Sequence, residues 1–407
     1  MASSHSLASS KDIVASAALA RGAGRLGIDT EFMSEGRYRA LLCLTQVAVE
    51  DQSAPTGIRT ILIDGLAPSV DVQPLAELLA DPAIEVVFHA GRQDVAILKR
   101  AWRTALTSIF DTQIAAGFVG ESAQAGYGNL LSSVLGLRVG KTASYTRWDA
   151  RPLTDEQLSY AAEDVAHLLK LTDQLQQRLR DSGRLEWAVE ECKRLESASD
   201  ERDPDTVWER LPRVGQLDPQ ARAVARRLAS WRERTAAAED RPVGQVVQDP
   251  PLLELAKRHP RDLGALAQIR GIHQSIVKRR GAALLEAIRA GLSDPPIPRE
   301  ARRGSFDAAD APLIALAEAL LRARAMEAGL AYELIASRGE LEQIIAAARQ
   351  SEREPDVRTL AGWRRELVGA DLESLLMGRA ALAVGERRRL ELHELPTTGH
   401  DEADGQD

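Results

Sequence analysis

Cysteine is almost absent from this chain of 407 residues: Cys43 and Cys192 are the only two. They lie far apart and support neither a disulfide framework nor a zinc site. Aromatic residues make up only 4%. No apolar run approaches the roughly 18–20 residues needed to span a bilayer. The opening MASSHSLASSKD lacks the basic start and apolar core of a secretion signal. These absences lead to the expectation of a soluble, cytoplasmic protein. Charge of one sign does not dominate either, with 52 Lys+Arg against 60 Asp+Glu and a net charge of −8. That total argues against a nucleic-acid binder working by bulk charge, although it hides local patches, and a carboxylate-built metal site would itself add negative charge. What is present is 44% hydrophobic residues, enough to exclude a disordered acidic chain and to give two to four domains a core each.

From Gly27 to about Leu169 the pattern is mixed. LGIDTEFM alternates with the strand period, ALLCLTQVAV is a long β-tolerant run, and TILID is a third short strand. Three consecutive strands predict an antiparallel meander. A helix follows (VDVQPLAELLAD), then the strand IEVVFH, a helix from Gly91 to about Ala101, the strand SIFD, and helices over 129–135 and 154–175. Strands first and alternating elements afterwards predict a mixed α/β sheet covered by helices, within residues 1–200. Beyond the polar stretch SASDERDPD, strand signals vanish. Two all-α segments, 210–292 and 305–380, are separated by SDPPIPREARRGS. VVQDPPLLELAK in the first and LIASRGELEQII in the second share apolar spacing, as diverged repeats do. Residues 381–407, ending in ELPTTGHDEADGQD, read as a disordered acidic tail.

Three motifs carry chemistry. Asp29 and Glu31, two apart on a strand, leave the same face, while Ile28, Thr30 and Phe32 point the other way. An Asp-x-Glu pair is common on exposed strands. Here it follows LGI in a first strand expected to be buried, where unpaired acids are costly unless metal-bound. In HAGRQDVAIL a strand ends at His89 and Asp94 occupies the first turn of the next helix, where the helix dipole alone would favour a carboxylate. His89 itself reads more as a satisfied strand-end histidine than as a ligand. In LTDEQLSYAAEDVAHLLKL, Tyr160 and Asp164 are four apart on one helical face, so a phenol and a carboxylate can converge. Thr154 and Gln157 form a capping box that fixes the helix start.

In this order and at these positions, the three motifs resemble the DEDD family of 3′→5′ exonucleases, whose fold is a ribonuclease-H-like mixed sheet. Members with a catalytic histidine carry it five residues before the last Asp, where this chain has Ser159. Members with tyrosine carry it four before, where this chain has Tyr160, so the resemblance is to the tyrosine branch. It extends through DTQIAAGF and TRWDARPLTDEQLSYAAEDV. The two helical segments resemble HRDC domains, through WRERTAAAEDRPVGQVVQDPPLLELAKRHP in the first and ELIASRGELEQII with GWRREL in the second. Coverage runs from about residue 10 to about 378. None of the five motif positions departs from the pattern.

The resemblance implies a metal-dependent 3′→5′ exoribonuclease that trims 3′ extensions of tRNA precursors and other small structured RNAs and releases nucleoside 5′-monophosphates. It implies two divalent ions, and oxygen ligands suit Mg²⁺ or Mn²⁺. Asp29 would bridge them, Glu31 and Asp164 would complete the site of one, Asp94 would hold the other, and Tyr160 would orient the attacking water. Four carboxylates around an empty site would repel one another, which predicts stabilisation by metal. GLRVGKT at Gly136–Thr142 is not a phosphate-binding Walker loop: it has three residues between its glycines, not four, and follows a helix. Lys141 and Arg147 are instead candidate substrate-phosphate contacts or ordinary solvated charges. A local basic cluster, Lys257, Arg258, Arg261, Arg270, Lys278, Arg279 and Arg280 against Asp262 alone, can neutralise RNA phosphates without reading sequence. The second segment is less basic and is expected to close a ring or buttress the first. Two alternatives stay open: a DNA exonuclease on the same fold, since no residue here is known to sense a 2′-hydroxyl, and a non-catalytic RNA-binding adaptor. Neither a membrane nor an obligate protein partner is implied.

Overall fold

The structure is a computed structural model that describes residues 6–138, 147–299, 308–350 and 355–396. The first unit runs α1 (Ser10–Ala23), β1 (Arg25–Met33), β2 (Leu41–Glu50), β3 (Ile58–Asp64), α2 (Gln73–Leu79), β4 (Glu85–Phe88), α3 (Arg92–Trp102), β5 (Ile109–Asp111), α4 (Thr112–Gly117), α5 (Tyr127–Leu135), α6 (Asp155–Ala166), α7 (Leu168–Asp181) and α8 (Leu185–Lys193). Strand order is β3-β2-β1-β4-β5. The first three strands are the expected antiparallel meander, and β4 and β5 add in parallel.

Alternation along β1 divides its residues between two cores. Leu26 and Ile28 pack with Ile13 and Ala17 of α1, Leu75 and Leu78 of α2, and Val95 and Leu98 of α3. On the opposite face α6 covers Leu44 and Leu62, and α7 covers Ala48 and Val87. The sequence reading left α1 unassigned, although its start carries a capping box between Ser9 and Asp12. The single helix expected over 154–175 is two. The chain turns at His167 so that Leu158, Ala161 and Val165 of α6 and Leu168, Leu171 and Leu175 of α7 each bury an apolar face.

The helical segments repeat one plan. α9 (Pro219–Ala238), α10 (Val243–Val246), α11 (Asp249–Arg258), α12 (Leu263–Ala267) and α13 (Gln274–Ser293) form the first. α14 (Ala311–Ala328), α15 (Tyr332–Ile335), α16 (Arg338–Gln350), α17 (Gly362–Arg364), a π turn (Arg365–Gly369) and α18 (Ala370–Leu376) form the second. α10 and α15 are one-turn helices, and each ends on an extended residue, Val247 and Ala336. The first segment encloses its own core, which among the described residues only Tyr38 of the sheet unit joins. The second packs, through its described residues, on the sheet unit and not on the first. Its Leu320, Ile335, Trp363 and Leu372 share one core with Phe110, Phe118, Leu171 and Leu175 of the sheet unit.

The expected tail from 381 is corrected over its first part, where β6 (Ala380–Val384) and β7 (Leu390–Glu394) pair antiparallel. Leu382 and Leu392 meet across that hairpin and pack on the second segment's core, giving this short stretch something to bury. No helix among the described residues is long and apolar enough to cross a membrane.

Candidate active site

Gly27, Asp29 and Glu31 share the face of β1 covered by α6 and α7. A Cβ at Gly27 would stand 3.2 Å from Leu168 Cδ2, so the missing side chain lets α7 lie close to β1. Asp164 sits one turn before Leu168 and is carried toward Asp29 and Glu31. β4 pairs with β1 only over Arg25–Gly27. The end of β1 bearing the acids therefore runs past the carboxyl end of β4, the edge where open α/β sheets bind ligands.

At that edge the chain turns through Ala90 (φ 56°) and Gly91 into α3. A Cβ at Gly91 would lie 2.5 Å from Phe88 Cβ, so only glycine fits. Asp111, buried at the end of β5, fixes the turn. It accepts from the amides of Ala90 (3.1 Å) and Gly91 (2.8 Å) and also caps α4 through Gln113 (2.8 Å) and Ile114 (3.2 Å). The turn delivers Asp94 to the site, buried and accepting a hydrogen bond from the Thr30 hydroxyl. His89 is occupied by Thr112, with Nδ1 and Oγ1 3.0 Å apart, as a satisfied strand-end histidine is.

Asp29 and Glu31 feel the charges of the other acids, and no cation among the described residues offsets them. Burial raises the Asp29 pKa well above the usual aspartate value, and the charges of Asp94, Asp164 and Glu31 raise it further. Burial, Asp164 and Asp94 push Glu31 up to about 8. Burial also raises Asp94, against the Thr30 hydrogen bond. Asp164 rises to about 6, burial outweighing its hydrogen bond from Tyr160. Burial, then Asp164 and Glu31, raise the Tyr160 phenol far enough to keep its proton throughout the neutral range. Among the described residues none of the four acids has an ion-pair partner. Ionising all of them at neutral pH needs positive charge that these residues do not supply, and oxygen donors of this kind suit a divalent cation. As they stand, no three acid, histidine or cysteine side chains among the described residues close to metal-holding distance. Asp94 is turned to Thr30 and Asp164 to Tyr160, as repelling carboxylates would be.

Beside Tyr160 opens a cavity of about 370 Å³ lined by Arg147, Trp148, Pro152 and Gln157. Arg147 stands at its rim, exposed and paired with Asp149 at 2.8 Å. Lys141 lies outside the described residues. The basic cluster gathers at the end of α11, the α12–α13 turn and the start of α13. Arg261, Arg270 and Lys278 are exposed and have no ion pair among the described residues. Lys257 and Arg258 share Glu254 at 3.4 and 3.2 Å, Arg279 bonds the Ser275 carbonyl at 3.3 Å, and Arg280 is turned inward onto Glu239 at 2.7 Å. The sequence reading missed Thr30 and Asp111, which position Asp94, although an Asp-Thr step closing a short strand is a helix-cap signal.

A family described as 3′-5′ exonuclease matches residues 7–180, and the HRDC domain family matches residues 221–288. The chain is 37% identical to ribonuclease D of Gluconacetobacter diazotrophicus, over 89% of this chain and 90% of that one. To ribonuclease D of Granulibacter bethesdensis it is 38% identical, over 92% and 93%. The chain belongs to the ribonuclease D family. The crystal structure of Escherichia coli RNase D, described as an exoribonuclease involved in structured RNA processing, superposes with a TM-score of 0.80 at 27% identity, covering 91% of this chain and 98% of that one. As a ribonuclease D family member the protein is a 3′-5′ exoribonuclease, with a ribonuclease-H-like exonuclease unit followed by an HRDC helical region. The adaptor alternative falls.

Proposed function

We propose that the protein removes nucleotides one at a time from the 3′ extensions of tRNA precursors and other small structured RNAs, releasing nucleoside 5′-monophosphates. The observation that carries this reading is the convergence of four uncompensated carboxylates and one phenol at the open end of β1. Asp29, Glu31, Asp94 and Asp164 would hold two divalent ions, Mg²⁺ or Mn²⁺, which when bound supply charge stabilisation at the scissile phosphate and lower the pKa of water. Asp29, the acid that feels the charges of all three others, would be the central ligand of the set. Tyr160 holds its proton, so it orients the attacking water by hydrogen bonding and does not act as the general base. Asp111 fixes the turn that carries Asp94 to the site, and the Thr30 hydroxyl hydrogen-bonds the Asp94 carboxylate. Arg147 receives the incoming strand at the cavity rim, Lys141 is a further candidate phosphate contact, and the exposed Arg261, Arg270 and Lys278 grip the RNA body through its phosphates. Lys257, Arg258 and Arg279 add long-range attraction, while Arg280 serves its ion pair with Glu239. Residues 1–200 are assigned to catalysis and 210–292 to RNA grip.

The test is hydrolysis of a 3′-tailed tRNA transcript and a matched DNA oligonucleotide, with Mg²⁺ or Mn²⁺ and with chelator, for the wild type and Asp29→Asn. The expected result is stepwise shortening of the RNA by the wild type, abolished by chelator and reduced at least about 10²–10³-fold in the variant, the scale of losing one preorganised electrostatic group. Shortening that persists in chelator, or an unimpaired variant, would overturn the metal assignment. Preference for the DNA would overturn the substrate.

A further inference from the structure

Across the β1–β2 ladder, the residue directly opposite Asp29 is Gln46. Both project onto the face covered by α6 and α7, and the Cβ atoms of such a pair stand about 4.5–5.5 Å apart. Gln46 is fully buried. Its neighbours on that face are apolar, Leu44 and Ala48 on its own strand and Leu62 opposite it on β3. Among the described residues neither Oε1 nor Nε2 of its carboxamide has a hydrogen-bond partner.

An amide buried with both ends unmatched carries a desolvation cost that no contact offsets. A side chain that merely filled this space would do so better as leucine or methionine. Directly opposite it stands an acceptor that its amide N–H can serve, the carboxylate of Asp29, which has no cationic partner among the described residues. Carboxylates that ligate metal are commonly held by such an outer hydrogen bond, which fixes their orientation.

We infer that Gln46 is a positioning residue for the metal site: its carboxamide N–H donates to Asp29 and orients that carboxylate toward the divalent ions. The inference rests on the reading of Asp29 as a metal ligand. Gln46 does not touch substrate, so it acts through Asp29 alone.

A positioning role and a packing role predict opposite signs. Gln46→Met keeps the shape and removes both unmatched polar atoms, and Gln46→Leu is a second apolar replacement. The measurements are Mn²⁺ titration followed by calorimetry, and melting in chelator, for the wild type, Asp29→Asn and the two Gln46 variants of the full chain. Expected is Mn²⁺ affinity reduced about 10–100-fold in the Gln46 variants, with melting in chelator at or above that of the wild type. The KM for RNA should stay constant while kcat falls at sub-saturating metal. Wild-type Mn²⁺ affinity in both variants would overturn the inference, as would weakened binding accompanied by a lower melting temperature in chelator. If Asp29→Asn binds Mn²⁺ as the wild type does, the assignment of Asp29 fails, and the inference with it.

Discussion

Tyr160 and Asp164 occupy one face of α6 a turn apart, and burial sets their protonation in the same direction. The phenol is held protonated, so under the proposed mechanism its contribution is a hydrogen bond to the attacking water. Tyr160→Phe is expected to lower kcat about 10²–10⁴-fold, the range for a positioned proton-transfer or proton-donating group, with KM unchanged. Its pH–rate profile should lose no limb, because the wild-type phenol does not titrate in the working range. Single-turnover kinetics across pH 6–9 checks both. The acids behave differently. Asp164, near 6, and Glu31, near 8, have folded pKa values above their unfolded ones of 3.8 and 4.5. The folded state holds those protons more tightly, so their stabilising effect is complete below about pH 4 and is lost as pH rises through 6 and then 8. In chelator the melting temperature should therefore fall from pH 5 to pH 8.5, and Mg²⁺ or Mn²⁺ should restore it at the upper end. A flat profile in chelator would mean that the acids do not share one site.

Elements differ in how plainly the chain announces them. The helix pair α9 and α13 meets at Gly291, where a Cβ would come within 2.5 Å of the Val224 Cα. Alanine in place of a mid-helix glycine ordinarily gains about 0.5–1 kcal/mol. Here overpacking against backbone costs about 1–3 kcal/mol, and the larger effect decides the sign. Gly291→Ala should destabilise the first helical segment and weaken RNA binding while leaving dinucleotide hydrolysis intact, as measured by urea denaturation and both assays. That contact was invisible in the sequence because it depends on which helices meet. The meander and the three motifs were legible, since a period of two on β1 and a spacing of four on α6 place side chains on a face without knowledge of the partner. Short elements were harder. α1 announces itself only through Ser9 and Asp12, and the break at His167 follows from α6 and α7 packing on different parts of one sheet face, Leu44 and Leu62 under the first and Ala48 and Val87 under the second. The hairpin at 380–394 is stabilised by packing on α18 and the core it belongs to, which its own sequence does not show. Thr30 points away from Asp29, so alternation alone set it aside, and only the turn at Gly91 brings Asp94 to it.

The whole molecule joins its helical segments to the catalytic unit in two physically different ways. Trp363 is buried between Phe118 (5.0 Å, edge-on) and Trp187 (5.3 Å, stacked), and the neighbouring Arg364 pairs with Glu191 at 2.6 Å. This is a shared core, and Trp363→Ala should cost about 3–5 kcal/mol and lower activity on every substrate. The first segment is attached through polar contacts at the tip of the β1–β2 hairpin, only a few residues beyond Glu31. There Arg37 pairs with Asp240 at 2.7 Å, and the Tyr38 hydroxyl donates to the buried Glu233 at 2.8 Å. Such contacts contribute on the order of 1 kcal/mol together, since each is partly exposed or exchanges with water. The first helical segment, proposed to grip RNA, is thus held to the β1–β2 hairpin firmly enough to set a distance and weakly enough to be released by mutation. Combining Tyr38→Phe with Asp240→Asn should leave cleavage of a dinucleotide unchanged, because neither residue reaches the acids. Trimming of a 3′-tailed tRNA requires both the grip and the site at once, so its kcat/KM should fall by up to about tenfold, the equivalent of roughly 1.4 kcal/mol. Equal losses on both substrates would show instead that the hairpin contact holds the catalytic strand itself.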